Sequence, residues 1–288
     1  MRFPWRTVAR WIVVVAGLAV LAGCTALQLG YNNADSLIHW RSGRYFGFEG
    51  EQKADFERRV QKFLAWHRKA ELPKYAVLAN GLGDRLARGV TLADLEWGYD
   101  SFQVLLRQTL RAAAVETGEL LDTLNPAQVE RFQARLAKEN RNFAKDHVLA
   151  ESPEARRAKR VKRNIDRMEE WFGSLTEAQV ERIRLYSARA PLDDILRDQD
   201  RKRMQRELVG MINAKETRRK LEAWAIAWDQ NRDPEYETLR KQNLREYFGM
   251  LIDLDKTLSA EQRNRAVQRL RGFAGDFLAL VAAAEGAR

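Results

Sequence analysis

Beyond residue 24, apolar residues return every three or four positions. No stretch alternates apolar with polar residues as a half-buried strand must. Phe56, Val60, Phe63, Leu64 and His67 make one such stripe, and Val129, Phe132, Leu136 and Phe143 another. Leu221, Trp224, Ala225 and Trp228 form a third, and Val267, Leu270, Phe273, Phe277 and Val281 line the C-terminal stretch. Each stripe is one face of an amphipathic helix. Breakers are scarce, with 17 glycines and six prolines in 288 residues. Pro73, Pro126, Pro153, Pro191 and Pro234 fall between stripes, where proline suits the first turn of a helix. The pattern predicts an all-α fold, a bundle of about eight to ten antiparallel helices, elongated in one reading. A subdomain break is placed near residue 150, at Ala150-Glu151-Ser152-Pro153, with one continuous body as the other option.

The N-terminus gives an address. Arg2, Arg6 and Arg10 precede an apolar run, Trp11 to Ala22, with no acid among them. As a helix that run spans about 18 Å, too short for a hydrocarbon core of about 30 Å. A basic segment followed by a short apolar one reads as an export signal. It ends in Leu21-Ala22-Gly23-Cys24, which resembles the bacterial lipobox, and Cys24 is the only cysteine. The resemblance implies cleavage after residue 23 and a covalent lipid on Cys24, with no other cofactor. Thr25 stands where an aspartate favours inner-membrane retention in such proteins, so the implied location is the outer membrane, facing the periplasm. Residues 1–23 are then a signal peptide, 24–45 an anchored tether and 46–288 the helical body. The mature chain keeps 265 residues with 47 basic and 40 acidic side chains, a balance of +7 against +10 for the precursor.

Two further motifs stand out. Tyr31-Asn32-Asn33-Ala34-Asp35 is followed by Leu37, Trp40, Tyr45, Phe46 and Gln52. This order after a lipobox resembles an uncharacterised proteobacterial lipoprotein family, which brings no assigned catalytic or binding residue. Tyr31, Asn32, Asn33 and Asp35 are candidates either for seating the chain on the body or for recognising a partner. Leu124-Asn125-Pro126-Ala127-Gln128, Leu175-Thr176-Glu177-Ala178-Gln179 and Leu258-Ser259-Ala260-Glu261-Gln262 share a capping-box pattern. Asn125, Thr176 and Ser259 are the caps, with Gln128, Gln179 and Gln262 at the third helical position. Phe48-Glu49-Gly50-Glu51-Gln52 is a weaker version. The pattern resembles the LTxxQ motif of small periplasmic chaperones and envelope-stress adaptors. Simple capping is the plainer option.

Chemistry is sparse. His39, His67 and His147 are far apart and lack metal-ligand spacing, so no metal is expected. His67 lies on an apolar face and is expected to be packed. Gly81-Leu82-Gly83 lacks a third glycine and is read as a loop or a loosened helix. Asp229-Gln230-Asn231-Arg232-Asp233 imitates a calcium loop, but Pro234 and Arg240 stand where glycine and glutamate are needed. It is read as a helix end before a proline-started helix. No nucleophile elbow or P-loop occurs, and no enzymatic activity is expected. Arg156, Arg157, Lys159, Arg160, Lys162 and Arg163 form a dense basic run. It is either a solvated helix face or a patch for an anionic envelope component, since export leaves no nucleic acid to bind. The expected function is non-enzymatic binding or scaffolding in the envelope; the alternative is an LTxxQ-like chaperone or stress adaptor.

Overall fold

The computed structural model describes residues 25–285. The expectations for residues 1–24, including Leu21, Ala22, Gly23 and Cys24, lie outside them. The described chain is all-α, with no strand among its residues. Its helices are α1 (Ala26–Asn32), α2 (Ala34–Tyr45), α3 (Gly50–Trp66), α4 (Leu72–Ala87), α5 (Leu92–Asp122) and α6 (Pro126–Asp146). They continue as α7 (Pro153–Phe172), α8 (Glu177–Arg189), α9 (Asp194–Asn213), α10 (Thr217–Ile226), α11 (Pro234–Asp255) and α12 (Ala260–Glu285). Residues 25–45, expected between the anchor and the body, form α1 and α2.

Proline behaves in two ways. Pro126, Pro153 and Pro234 open α6, α7 and α11, where the missing N–H is no loss. Pro73 opens no separate helix, and residues 50–87 run on as one helical rod. A π-helical turn, His67–Glu71, joins α3 to α4, and the Leu72 amide reaches back to the His67 carbonyl. Widening the helix there relieves the clash between the proline ring and the preceding turn. Pro191 stands in the connection before α9.

Two helix pairs approach unusually closely, and small residues are the reason. On α4, Ala76, Ala79 and Gly83 face Ala274, Leu270 and Val267 of α12. The Gly81–Gly83 stretch is therefore regular helix, contrary to the loop expectation. Its glycines make room for the Trp97 ring and for α12 instead of breaking the rod. On α5, Ala114 and Gly118 face α10, and a Cβ on Gly118 would stand 3.0 Å from the Thr217 carbonyl oxygen. Thr217 Oγ1 donates to the Gly118 carbonyl at 2.6 Å, and Asp122 accepts from the Thr217 and Arg218 amides at 2.8 and 3.0 Å. Asp122 thus caps α10 from a neighbouring helix.

The core is divided but interleaved. Leu121, Leu124, Phe132, Ile212 and Leu221 bring α5, α6, α9 and α10 together. Met168, Ile183, Tyr186, Met250 and Leu254 join α7, α8 and α11. The connection near residue 150 is short, and α12 packs on both α4 and α7.

A charged network ties α5 to α11. Arg240 grips Glu237 with two bonds of 2.8 Å and donates to the Tyr99 hydroxyl at 3.1 Å, while Arg232 adds 3.1 Å to Glu237. The Arg240 bonds hold the Glu237 carboxyl down at about 2. A carboxyl so depressed stabilises the fold fully above pH 4.5 and loses its contribution as pH falls toward 2. The fall in melting temperature between pH 5 and pH 3 is therefore expected to be smaller in Glu237→Gln than in the parent. Circular dichroism melts across that range check it.

Candidate anion-binding surface

The first described residues are fastened to the body. Thr25 Oγ1 and Gln28 Nε2 donate to the buried Asp276 carboxylate on α12, at 2.7 and 2.9 Å. The Tyr31 hydroxyl meets His67 Nδ1 at 2.9 Å, and the two rings stack. Arg68 lies over the Tyr31 ring and donates to Asn32 Oδ1 at 3.2 Å. Asn33 bonds the Leu29 carbonyl within its own turn, and Asp35 sits in the first turn of α2. Burial, opposed by the charge of Glu71, pushes the His67 pKa down, so it stays a neutral bond partner at pH 7. Tyr31, Asn32 and Asn33 are thereby occupied within the molecule.

The three strong motif copies form capping boxes, and a fourth box, Thr91 with Asp94, has no counterpart in the sequence reading. The copies also meet in couples. Gln179 Nε2 donates to Gln262 Oε1 at 2.9 Å, and Gln262 Nε2 returns the bond at 3.0 Å. Each amide then reaches the carbonyl just before its partner's leucine: Gln179 to Thr257 at 3.0 Å and Gln262 to Ser174 at 2.8 Å. Gln52 and Gln128 repeat the arrangement, with Gln128 on the Gly47 carbonyl at 3.1 Å and Gln52 on Thr123 at 3.0 Å. The weaker copy at Phe48–Gln52 lacks a capping oxygen but keeps the coupling. These glutamines bind each other and the backbone, which locks two pairs of helix starts together.

The basic run on α7 divides. Arg160 is buried and donates to the Ala190 and Pro191 carbonyls at 3.0 and 2.9 Å, closing the end of α8. Lys162 pairs with Asp166 at 2.9 Å, Lys159 is exposed, and Arg157 is half-buried. Arg156, Arg160, Arg163 and Arg167 share one face, spaced at four, three and four residues. The start of α9 lies beside that face, with Asp193 and Asp194 3.8 and 3.9 Å from Arg160, and further along α9 Arg197 and Arg201 lie over the Phe143 ring at 5.7 and 4.0 Å. His147 stacks on the same Phe143 ring, with 3.9 Å between ring centres. Arg163, Arg167, Arg197 and Arg201 have no carboxylate within 4 Å among the described residues, and one buried guanidinium nitrogen of Arg201 has no partner. Burial pushes the Arg163 pKa down, and the charges of Arg160, Arg197 and Arg167 push the same way against Asp194. Burial also lowers His147, aided by Arg163 and Arg197. Arg163 is therefore crowded by Arg160, Arg197 and Arg167 against Asp194, while Arg201 lies over the same Phe143 ring as Arg197.

A family model for a family of unknown function, DUF6279, matches residues 44–237, most of the chain. The chain belongs to DUF6279. No curated protein and no solved structure matches it. The DUF6279 match contains the whole arginine cluster and the Gln52–Gln128 couple. It stops before Ser259 and Gln262, so the second glutamine couple is half inside it.

A cleft of about 500 Å³ is floored by Phe63, Trp66, Ala112 and Val115 beside the π-helical turn. Its rim cations are each paired: Lys62 with Glu116 at 2.6 Å, Lys74 with Glu71 at 2.7 Å and Arg111 with Glu222 at 2.7 Å. It therefore offers no free charge, in contrast to the arginine cluster. Asp229 pairs with Arg107, and Asp233 caps α11, so the calcium-like stretch is a helix end and a cap. Among the described residues no group of three or more metal-ligating side chains occurs, and no helix is long and apolar enough to cross a membrane.

Proposed function

We propose that this DUF6279 protein is a lipid-anchored binding protein of the cell envelope. It is held at the outer membrane through Cys24, faces the periplasm and works without enzymatic chemistry. Its partner is an anionic envelope component, held by Arg163, Arg167, Arg197 and Arg201. The observation that carries this is the cluster of four arginines without carboxylate partners. Crowded like charges oppose folding, and Arg163 adds no bond at the end of α8, which Arg160 already closes. An anion docking there would relieve the crowding and accept bidentate bonds from the guanidinium groups. The lipobox-like Leu21-Ala22-Gly23-Cys24 supports the location, and the residues following it are pinned to the body by Asp276.

The coupled glutamines weigh against the alternative, an LTxxQ-like chaperone. Their amides are spent inside the fold, which leaves the motif no free polar face for a client.

The test is a binding titration of the purified protein against phosphatidylglycerol vesicles, lipopolysaccharide micelles and peptidoglycan sacculi. One of these is expected to bind in a salt-dependent way. Replacing the four arginines by glutamine is expected to weaken it at least about tenfold in a variant that circular dichroism shows to be folded. Equal binding by parent and variant to all three would end the proposal. The mass of the membrane-extracted protein reports the lipid on Cys24.

A further inference from the structure

A second surface begins almost at the anchor. Leu29, Leu37 and Trp40 are 45%, 57% and 60% exposed on α1 and α2. On α2, Leu37, Trp40 and Arg44 stand at offsets 0, 3 and 7 and share one side of the helix, and Leu29 precedes them on α1. The inner side of α2 is already used. Ile38 packs beside Phe56 and Val60, His39 meets the Phe56 ring edge-on, and Tyr45 lies against Phe132. The outer residues therefore contribute nothing to the core. Arg44 lies 4.7 Å over the Trp40 ring, and neither Arg41 nor Arg44 has a carboxylate partner among the described residues.

We propose that this outer face of α1 and α2, made by Leu29, Leu37 and Trp40 and edged by Arg41 and Arg44, lies in the headgroup layer of the membrane that holds Cys24. The proposal rests on the lipid reading of Cys24 and adds the orientation of the body. Thr25 and Gln28 grip Asp276, so the residues next to the anchor cannot swing away from α12. Trp40 follows Thr25 by 15 residues, about 23 Å along a helical path, so a body held at Cys24 keeps this face near the bilayer. Apolar and aromatic side chains edged by arginine suit an interface whose headgroups carry phosphate. Trp40 supplies an amphipathic ring, and the two arginines meet the phosphates.

The test uses the full, processed chain reconstituted in phosphatidylethanolamine–phosphatidylglycerol vesicles. A single cysteine is placed by Leu37→Cys, or by Leu185→Cys as an exposed control on α8, and labelled with an environment-sensitive fluorophore. Acylated Cys24 has no free thiol to compete, and mass spectrometry reports the acylation separately. The label at 37 is expected to shift to the blue and to be quenched by aqueous iodide at least fivefold less than the label at 185. Equal quenching at both positions, with Cys24 acylated, overturns the proposal. Shielding of position 37 only after an envelope protein extract is added also overturns it, since the occupant is then a protein. If Cys24 proves unacylated, the lipid reading falls alone. The face is then judged by vesicle partitioning, where Leu37→Glu with Trp40→Glu should lower it at least fivefold and no change overturns the proposal.

Discussion

Replacing Gln179 by leucine is expected to destabilise the protein by about 3 kcal/mol, because it strands buried polar groups. Gln179 is fully buried and joins four groups: the Thr176 amide, the Thr257 carbonyl and both ends of the Gln262 amide. Leucine fills the space and satisfies none of them. Losing a cap alone, as in Ser259→Ala, is expected to cost only about 1 kcal/mol. The double variant Gln179→Leu with Gln262→Leu decides whether the couple acts as a unit. Removing both partners should cost about 1 kcal/mol less than the sum of the single losses. Urea unfolding of the four proteins measures it. Strict additivity would mean that the glutamines act as independent caps.

Gly118→Val is the second large effect, expected at about 3 kcal/mol, and it comes from overpacking. The new Cβ would meet the Thr217 carbonyl oxygen at 3.0 Å and the Arg218 Cα at 3.3 Å, both backbone atoms that cannot turn aside. Separation of α5 from α10 would also weaken the Thr217 bond to the Gly118 carbonyl and the Asp122 cap. Gly272, in the interior of α12, has no neighbour within 4 Å of an added Cβ. Gly272→Ala should therefore raise stability by about 0.5–1 kcal/mol. The opposite signs separate close approach from general helix propensity, and both are read from the same denaturant midpoints.

The fold class was open to sequence reasoning because burial leaves a period. Phe56, Val60, Val129, Phe132, Leu221 and Val267 all mark helix faces that the core uses. The start of α6, α8 and α12 was equally legible, since a cap and its glutamine lie within four residues. Pairing between those starts was not legible, because Gln179 and Gln262 are 83 residues apart and nothing local links them. The π-helical turn hid for a related reason: Pro73 signals a break, and only the Leu72 bond to His67 shows how the rod absorbs it.

The candidate site was half visible. The basic run around residue 160 drew attention, but one-dimensional density cannot tell an inward arginine from an outward lysine. Arg160 turns in to close α8, whereas Arg163 feels the charge of Arg197 from a helix over 30 residues away. Arg167 was missed because it lies outside the dense run, and only its spacing of four from Arg163 could have included it. The grip of Asp276 on Thr25 and Gln28 bridges nearly the whole chain and leaves no local trace.

The most direct measurement is in-cell photo-crosslinking from positions 167 and 197, with Arg163 and Arg201 either kept or replaced by glutamine. The expected result is one or a few discrete crosslinked species at both positions, lost when Arg163 and Arg201 are neutralised while protein level and melting temperature stay unchanged. Crosslinks that are absent, diffuse, or unaltered by that neutralisation would contradict an anionic partner at the arginine cluster.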